Sequence, residues 1–391
     1  MINQIQSLLS EALKSENYFE ALSLAEQLTL IQSKNPFWHQ LVGKILMLMV
    51  QNGWDLYYLS DLLERQPDAF YSRLVYGREL EKKGEDKSIV FNNYVNALNK
   101  AHGMGFWLND ASTVEWSRGI VNHSVMFVEE FRRDVMHEWL NRLTKKYERN
   151  DIARVVKGVK MYFNDIPLEL SDERQKPSFF YIPDLPAQPF FPREQISNID
   201  LYEQAFPDIL SELNKRVSDK TLSPYLSSDQ NDVLVKGGNW DADFFFRHGK
   251  RFDDLHQRCP KTSQILSELP LVHIKDQSPE VCFSLLRSGA HILPHRGVTN
   301  SRLVLHLGLI IPDQCALNLC GISEKMWQQG KAFMFDDTYL HEAWNRSDKD
   351  RYVLLADVWN PFLNLVEREA ITDFVQMAKN LNSGIPLSLY K

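Results

Sequence analysis

Histidine is the residue most unevenly placed in this 391-residue chain: of eleven, seven lie between positions 248 and 341. They are His248, His256, His273, His291, His295, His306 and His341. Neutral imidazole suits divalent iron and related metals, and metal sites on jelly rolls draw ligands from strands distant in sequence. His295, in "HILPHRGVTN" (291–300), begins one strand signal, and His341, in "FDDTYLHEAWN", follows another 46 positions later. The third position of a common His-x-Asp/Glu iron motif is here Gly297, which has no side chain. Ten positions past His341, Arg351 opens a further strand signal, and a guanidinium there could bind a dicarboxylate bidentately. The stretch is open to three readings: a broken metal site, an ordinary strand end, or a metal site that works without its carboxylate.

The elements that must position these residues fall into two parts. Residues 1–170 read as helices, with apolar residues recurring at helical spacing in "NYFEALSLAEQLTLIQ". "NPFWHQLVGKILMLMVQNG" (35–53) is echoed by "PDAFYSRLVYGRELEKKGE" (67–85), with Phe37/Phe70 and Leu41-Val42/Leu74-Val75 each 33 apart. That period predicts tetratricopeptide-like hairpins, against the alternative of a non-repeating helical bundle. Residues 104–165 continue as amphipathic helix. The Pro- and aromatic-rich stretch 171–195 marks irregular chain and a domain boundary near 170. Beyond it, helical signals at 199–216 and 261–268 precede strand signals in "VCFSLLR" (281–287), "SRLVLHLGLII" (301–311), "KAFMFDD" (331–337) and "RYVLLADVW" (351–359). The expected fold class is α+β, a helical domain over 1–170 followed by a β-sandwich or jelly roll over 171–391.

The segments "FSLLRSGAHILPHRGVTNSRLVLHLGLIIP" and "WQQGKAFMFDDTYLHEAWNRSDKDRYVLLADVWNP" closely resemble the aspartyl/asparaginyl β-hydroxylase family of Fe(II)- and 2-oxoglutarate-dependent dioxygenases. The resemblance runs over about 180–362, through P-H-x-G-x-T-N, H-L-G-L, F-D-D-x-x-x-H-E-x-W and D-V-W-x-P in order. It implies a double-stranded β-helix (cupin-like) catalytic domain using Fe(II), O₂ and 2-oxoglutarate as co-substrate. By the same matching, His295 and His341 are the catalytic metal ligands, with glycine at 297 where related oxygenases place a carboxylate. Arg351 and Ser284 match residues that hold the distal carboxylate of 2-oxoglutarate, and His306 matches a further co-substrate contact. Asp336 and Asp337 are expected to make a turn or hold a histidine's second nitrogen rather than ligate metal. Trp344 and Trp359 also match family positions and are equally explained by core packing.

Two departures bear on substrate. Val304 stands in place of the second arginine of R-L-R-x-H-L, and Val235, beside Lys236, stands where the family tends to carry a substrate-binding arginine. Arg302, Arg296 and Lys236 are therefore the candidates for contacting substrate. The resemblance implies hydroxylation at the β-carbon of an Asp- or Asn-type residue in a peptide, protein or carrier-tethered amino acid. The alternatives are hydroxylation of a lipid acyl chain, as in relatives acting on lipid A, and a non-catalytic jelly-roll binding module; the family text argues against halogenation. The helical half is expected either to dock a partner or to shield the catalytic domain.

Charge and composition narrow the partners. The formal net charge is −7 and no tract is basic enough for a phosphate footprint, which argues against nucleic acid. The longest apolar run, "ILMLMV" (45–50), is far short of a membrane span. Four cysteines without C-x-x-C spacing and a start unlike a signal peptide point to a cytoplasmic protein with reduced thiols.

Overall fold

The computed structural model describes residues 1–218, 222–227 and 233–383. By contacts the chain divides into two units, one of Met1–Trp139 with the segment from Met377, the other Leu140–Gln376. The first unit is helical: α1 (Ile2–Lys14), α2 (Tyr18–Ile31), α3 (Pro36–Gln51), α4 (Leu56–Arg65), α5 (Phe70–Lys82), α6 (Lys87–Gly103) and most of α7 (Glu115–Lys146). Short polar side chains start these helices: Asn17, Asn35, Asp55 and Asp86 each accept a backbone N–H of the first turn, satisfying donors that no helical carbonyl reaches. The echo between 35–53 and 67–85 falls on α3 and α5, but burial differs at matched positions. Phe37 is exposed whereas Phe70 is fully buried.

The division between units lies within α7, ahead of the compositional shift near 170. The reason is α8 (Arg149–Tyr162), whose Arg154 forms an ion pair with Glu367 and whose Tyr162 packs on Phe180 and Phe374, all in the second unit.

The second unit holds two antiparallel sheets. Its strands are β1 (Phe190–Phe191), β2 (Ser223–Pro224), β3 (Val235–Lys236), β4 (Trp240–Arg247), β5 (Lys250–Arg251), β6 (Val281–Leu286), β7 (His291–His295), β8 (Arg302–Ile310), β9 (Cys315–Leu319), β10 (Ser323–Met326), β11 (Ala332–Phe335), β12 (His341–Asn345) and β13 (Arg351–Trp359). The larger sheet runs β1-β11-β8-β13-β6-β4-β2 with β5 on β4, and the smaller runs β10-β9-β12-β7-β3. Helices α9 (Ile199–Gln204), α10 (Phe206–Ser218), α11 (Asp253–Arg258) and α12 (Pro260–Leu266) belong to this unit too. The 199–216 signal thus splits into two helices. The helix α13 (Leu365–Ser383), begun in this unit, was not anticipated.

Because side chains alternate across a strand, the larger sheet feeds two cores. Leu303, Leu305 and Leu354 pack with Tyr202, Ile209 and Leu213 of the helical layer. Val304, Val353 and Leu355 face Ile292, Leu317 and Ala343 of the smaller sheet. This double burial explains why all nine residues of β13 are buried and why all but Arg351 and Asp357 of them are apolar. Among the described residues no helix is long and apolar enough to cross a membrane.

Candidate active site

A cavity of about 630 Å³ lies between the two sheets. The smaller sheet contributes the two histidines. His295 ends β7, rather than beginning a strand as the sequence suggested, and His341 opens β12 directly opposite it in the antiparallel register. Between these pairs β7 advances three positions (292 to 295) where β12 advances two (341 to 343). This bulge turns His295 inward beside Ile292, three positions away, which regular alternation forbids. His291, on the outer face, pairs instead with Glu342 at 2.7 Å.

The imidazole rings lie 4.1 Å apart, centroid to centroid. His295 Nδ1 lies 2.8 Å from the Leu293 carbonyl oxygen and His341 Nδ1 lies 2.9 Å from that of Tyr339. A carbonyl only accepts, so each Nδ1 carries the proton and each Nε2 keeps its lone pair. Burial lowers the pKa of both, His341 to about 3, where His295 beside it adds to the effect. Both rings are thus neutral at physiological pH, the state that metal binding requires.

The imidazole Nδ1 atoms bond to main-chain carbonyls and not to the carboxylates of Asp336 and Asp337. Asp336 makes the expected turn, accepting the Thr338 N–H at 2.9 Å. Asp337 fills the space over Gly297: a Cβ there would sit 2.1 Å from the Asp337 carboxyl carbon. Its Oδ2 accepts from Arg302 at 2.7 Å, while its buried Oδ1 has no partner among the described residues. Burial pushes this carboxyl up to about 7. Among the described residues no group of three or more His, Cys, Asp or Glu side chains is arranged to hold a metal; the site has two imidazoles.

The larger sheet faces the histidines with polar groups at alternating positions: Arg302, Val304 and His306 on β8, Arg351, Leu355 and Asp357 on β13, and Ser284 on β6 all line the cavity. Arg351 is 2% exposed, and its Nε and Nη1 lack hydrogen-bond partners among the described residues. Its guanidinium lies 4.7 Å from the Trp327 ring centre, and burial draws its pKa down to about 10. A buried cation without an anion is costly, so a ligand carboxylate is the natural complement. His306 Nδ1 accepts the Trp327 indole N–H at 3.2 Å, which places the His306 proton on Nε2, a buried donor without a partner among the described residues. Ser284 Oγ accepts from the Trp240 indole at 2.9 Å, leaving its own hydroxyl proton to donate.

The three candidate substrate contacts fare differently. Arg302 lines the cavity, but Asp337 and Asp357 hold it at 2.7 and 2.6 Å, so its charge is already matched. Arg296 also lines the cavity, with Nη1 donating to the Arg174 and Thr338 carbonyls. Lys236 is exposed and is not among the lining residues. Sequence reasoning missed Trp327, Trp240, Glu280 and Asp357; the available signal was the alternation that puts Asp357 on the face of Arg351 and Ser284 on that of Glu280. Trp344 and Trp359 are buried, as core packing predicts.

Two facing neutral imidazoles and a buried guanidinium, its Nε and Nη1 without hydrogen-bond partners among the described residues, share one cavity. The family model for aspartyl/asparaginyl β-hydroxylase matches residues 203–361. Aspartate β-hydroxylase domain-containing protein 2 of Mus musculus is 31% identical over 264 residues, 63% of this chain and 74% of that protein. Its Xenopus tropicalis counterpart is 31% identical over 242 residues, 59% of this chain and 63% of that protein, so the chain spans less than two thirds of that relative. An ornithine lipid ester-linked acyl 2-hydroxylase of Rhizobium tropici is 32% identical over 163 residues, 41% of this chain and 56% of that protein. The chain belongs to the aspartyl/asparaginyl β-hydroxylase family.

Proposed function

We propose that the chain is an Fe(II)- and 2-oxoglutarate-dependent dioxygenase, its sandwich a double-stranded β-helix, that hydroxylates an unactivated C–H bond. The observation that carries this is the presence, in one cavity, of two facing neutral imidazoles and the buried Arg351 guanidinium, whose Nε and Nη1 lack hydrogen-bond partners among the described residues. The residues fit the implied groups: His295 and His341 would hold the metal, and Arg351, the His306 Nε2–H and Ser284 would receive the distal carboxylate. Iron with 2-oxoglutarate and O₂, when bound, supplies the oxidising power. The chain's part is orientation and exclusion of water, through Ile292, Val304, Leu317, Phe335 and Leu355 on the cavity wall.

The family favours the β-carbon of an Asp- or Asn-type residue in a peptide, protein or carrier-tethered amino acid. A second reading, an acyl chain, is favoured by the uncharged Val304 on the wall and by the named activity of the Rhizobium relative. Anaerobic Fe(II) plus 2-oxoglutarate should give a visible metal-to-ligand charge-transfer band that His341→Ala and Arg351→Ala abolish. Incubation with O₂ and cell extract should give a +16 Da product that His295→Ala does not make. No band in folded protein, or one unchanged in His341→Ala, would return the fold to a binding module.

A further inference from the structure

Glu280 presents to the cavity a carboxylate with which no arginine forms an ion pair among the described residues, and we propose that it receives a cationic group of the substrate, an ammonium or guanidinium. This deepens the functional reading above and rests on it.

Glu280 precedes β6 and continues the alternation that turns Cys282 and Ser284 inward. It lines the cavity with its side chain 14% exposed. The backbone there is pinned from both sides: the Glu280 N–H donates to Asp357 Oδ2 at 2.9 Å, and the Asp357 N–H donates to the Glu280 carbonyl at 3.0 Å. Its Oε1 accepts the His248 backbone N–H at 2.6 Å and lies 2.8 Å from His248 Nδ1. Partial burial and the Arg247 charge lower the His248 pKa, so at neutral pH this ring brings a hydrogen bond without a charge. Glu280 Oε2 has no hydrogen bond among the described residues.

Among the described residues no arginine of the cavity forms an ion pair with Glu280. Arg302 is held by Asp337 and Asp357. Arg247 lies over the Phe244 ring at 4.7 Å and donates to the Tyr225 carbonyl at 2.9 Å. Arg296 donates to the Arg174 and Thr338 carbonyls, and Arg351 faces the Trp327 ring. Asp337 Oδ1, buried in the same cavity and lacking a partner among the described residues, is an independent sign of a missing donor. Burial pushes the Glu280 carboxyl up to about 7, and a bound cation would draw it back down. An acidic side chain entering here would meet Glu280, Asp337 and Asp357. A cation would meet its complement.

The test uses the full chain under anaerobic Fe(II) and saturating 2-oxoglutarate, whose charge-transfer band is recorded first. n-Pentylammonium, n-pentanol and n-pentanoate, equal in length, are then titrated by saturation-transfer NMR. Pentylammonium should bind at least fivefold more tightly than pentanol, with pentanoate weakest. Glu280→Gln should level the first two, and Glu280→Arg should reverse the order in favour of pentanoate. Equal affinities in the wild-type protein, or an ammonium preference that survives Glu280→Gln, overturn the assignment. The wild-type ranking stands as a test even if a variant fails to fold. Absence of the charge-transfer band would instead bring down the functional reading, and this inference with it.

Discussion

Gly297 and Asp337 occupy the same space: the glycine has no side chain, and the aspartate carboxylate sits where its Cβ would project, with the Gly297 N–H donating to the Asp337 carbonyl at 2.6 Å. The position from which related oxygenases supply a carboxylate ligand is closed by a carboxylate from elsewhere in the chain. Gly297→Ala is therefore expected to destabilise the unit by about 1–3 kcal/mol through overpacking. Combining it with Asp337→Ala should recover part of that loss. A double-mutant cycle in urea checks it: additive effects would mean the two positions do not compete.

Arg351 separates stability from binding. Replacing a buried, uncompensated charge with an apolar side chain of similar volume removes a desolvation cost, so Arg351→Met should raise the melting temperature by a few degrees. The same change should weaken 2-oxoglutarate at least tenfold, since hydrogen bonds to a charged group are worth about 1.5–3 kcal/mol. Thermal melts with and without 2-oxoglutarate decide it: wild type should gain stability from the ligand and the variant should not.

Arg302 behaves as structure before it behaves as a substrate contact. Arg302→Ala leaves Asp337 and Asp357 buried without their cation, a loss expected to cost about 3–5 kcal/mol. Chemical denaturation would show it directly. A variant as stable as wild type but altered only in KM would restore the substrate-binding expectation.

In the helical unit, Glu26 is fully buried, accepts the Ser72 N–H and Oγ–H on Oε1, and has its pKa raised from 4.5 to about 7 by burial. The folded state therefore holds this proton more tightly than the unfolded state. The associated stability is complete below pH 4.5 and is lost as pH rises through about 7. The displacement is worth about 3 kcal/mol at most. Glu26→Gln should match wild type at pH 4.5 and be more stable at pH 8, read by urea titrations at both values.

Strand β13 was legible from sequence to the residue, because double burial makes a run in which Asp357 alone interrupts the apolar residues after Arg351. The same holds for β6 and the body of β8. β7 was not, since "HILPH" carries a proline and a bulge, and the three-residue spacing of Ile292 and His295 is that of a helix face, not of a strand. The histidines, Arg351, Ser284 and His306 could be named from motifs and do line one cavity. What the sequence could not carry was pairing. Nothing in "SRLVLHLG" shows that Arg302 is already matched by Asp337, 35 positions on, and by Asp357, 55 positions on. Lys236 is absent from the cavity wall for a simpler reason: on a two-residue edge strand, adjacent side chains point to opposite faces, and Val235 takes the buried one.

Both inward histidines are aimed by carbonyls two residues earlier in the chain. The rings are thus oriented by main chain, and no neighbouring side chain is needed to steer them. Side chains on the opposite wall are left free to change without disturbing the metal-binding geometry. A lineage could exchange Val304, Glu280 or Arg296 and reach new substrates while inheriting the same reactive centre intact.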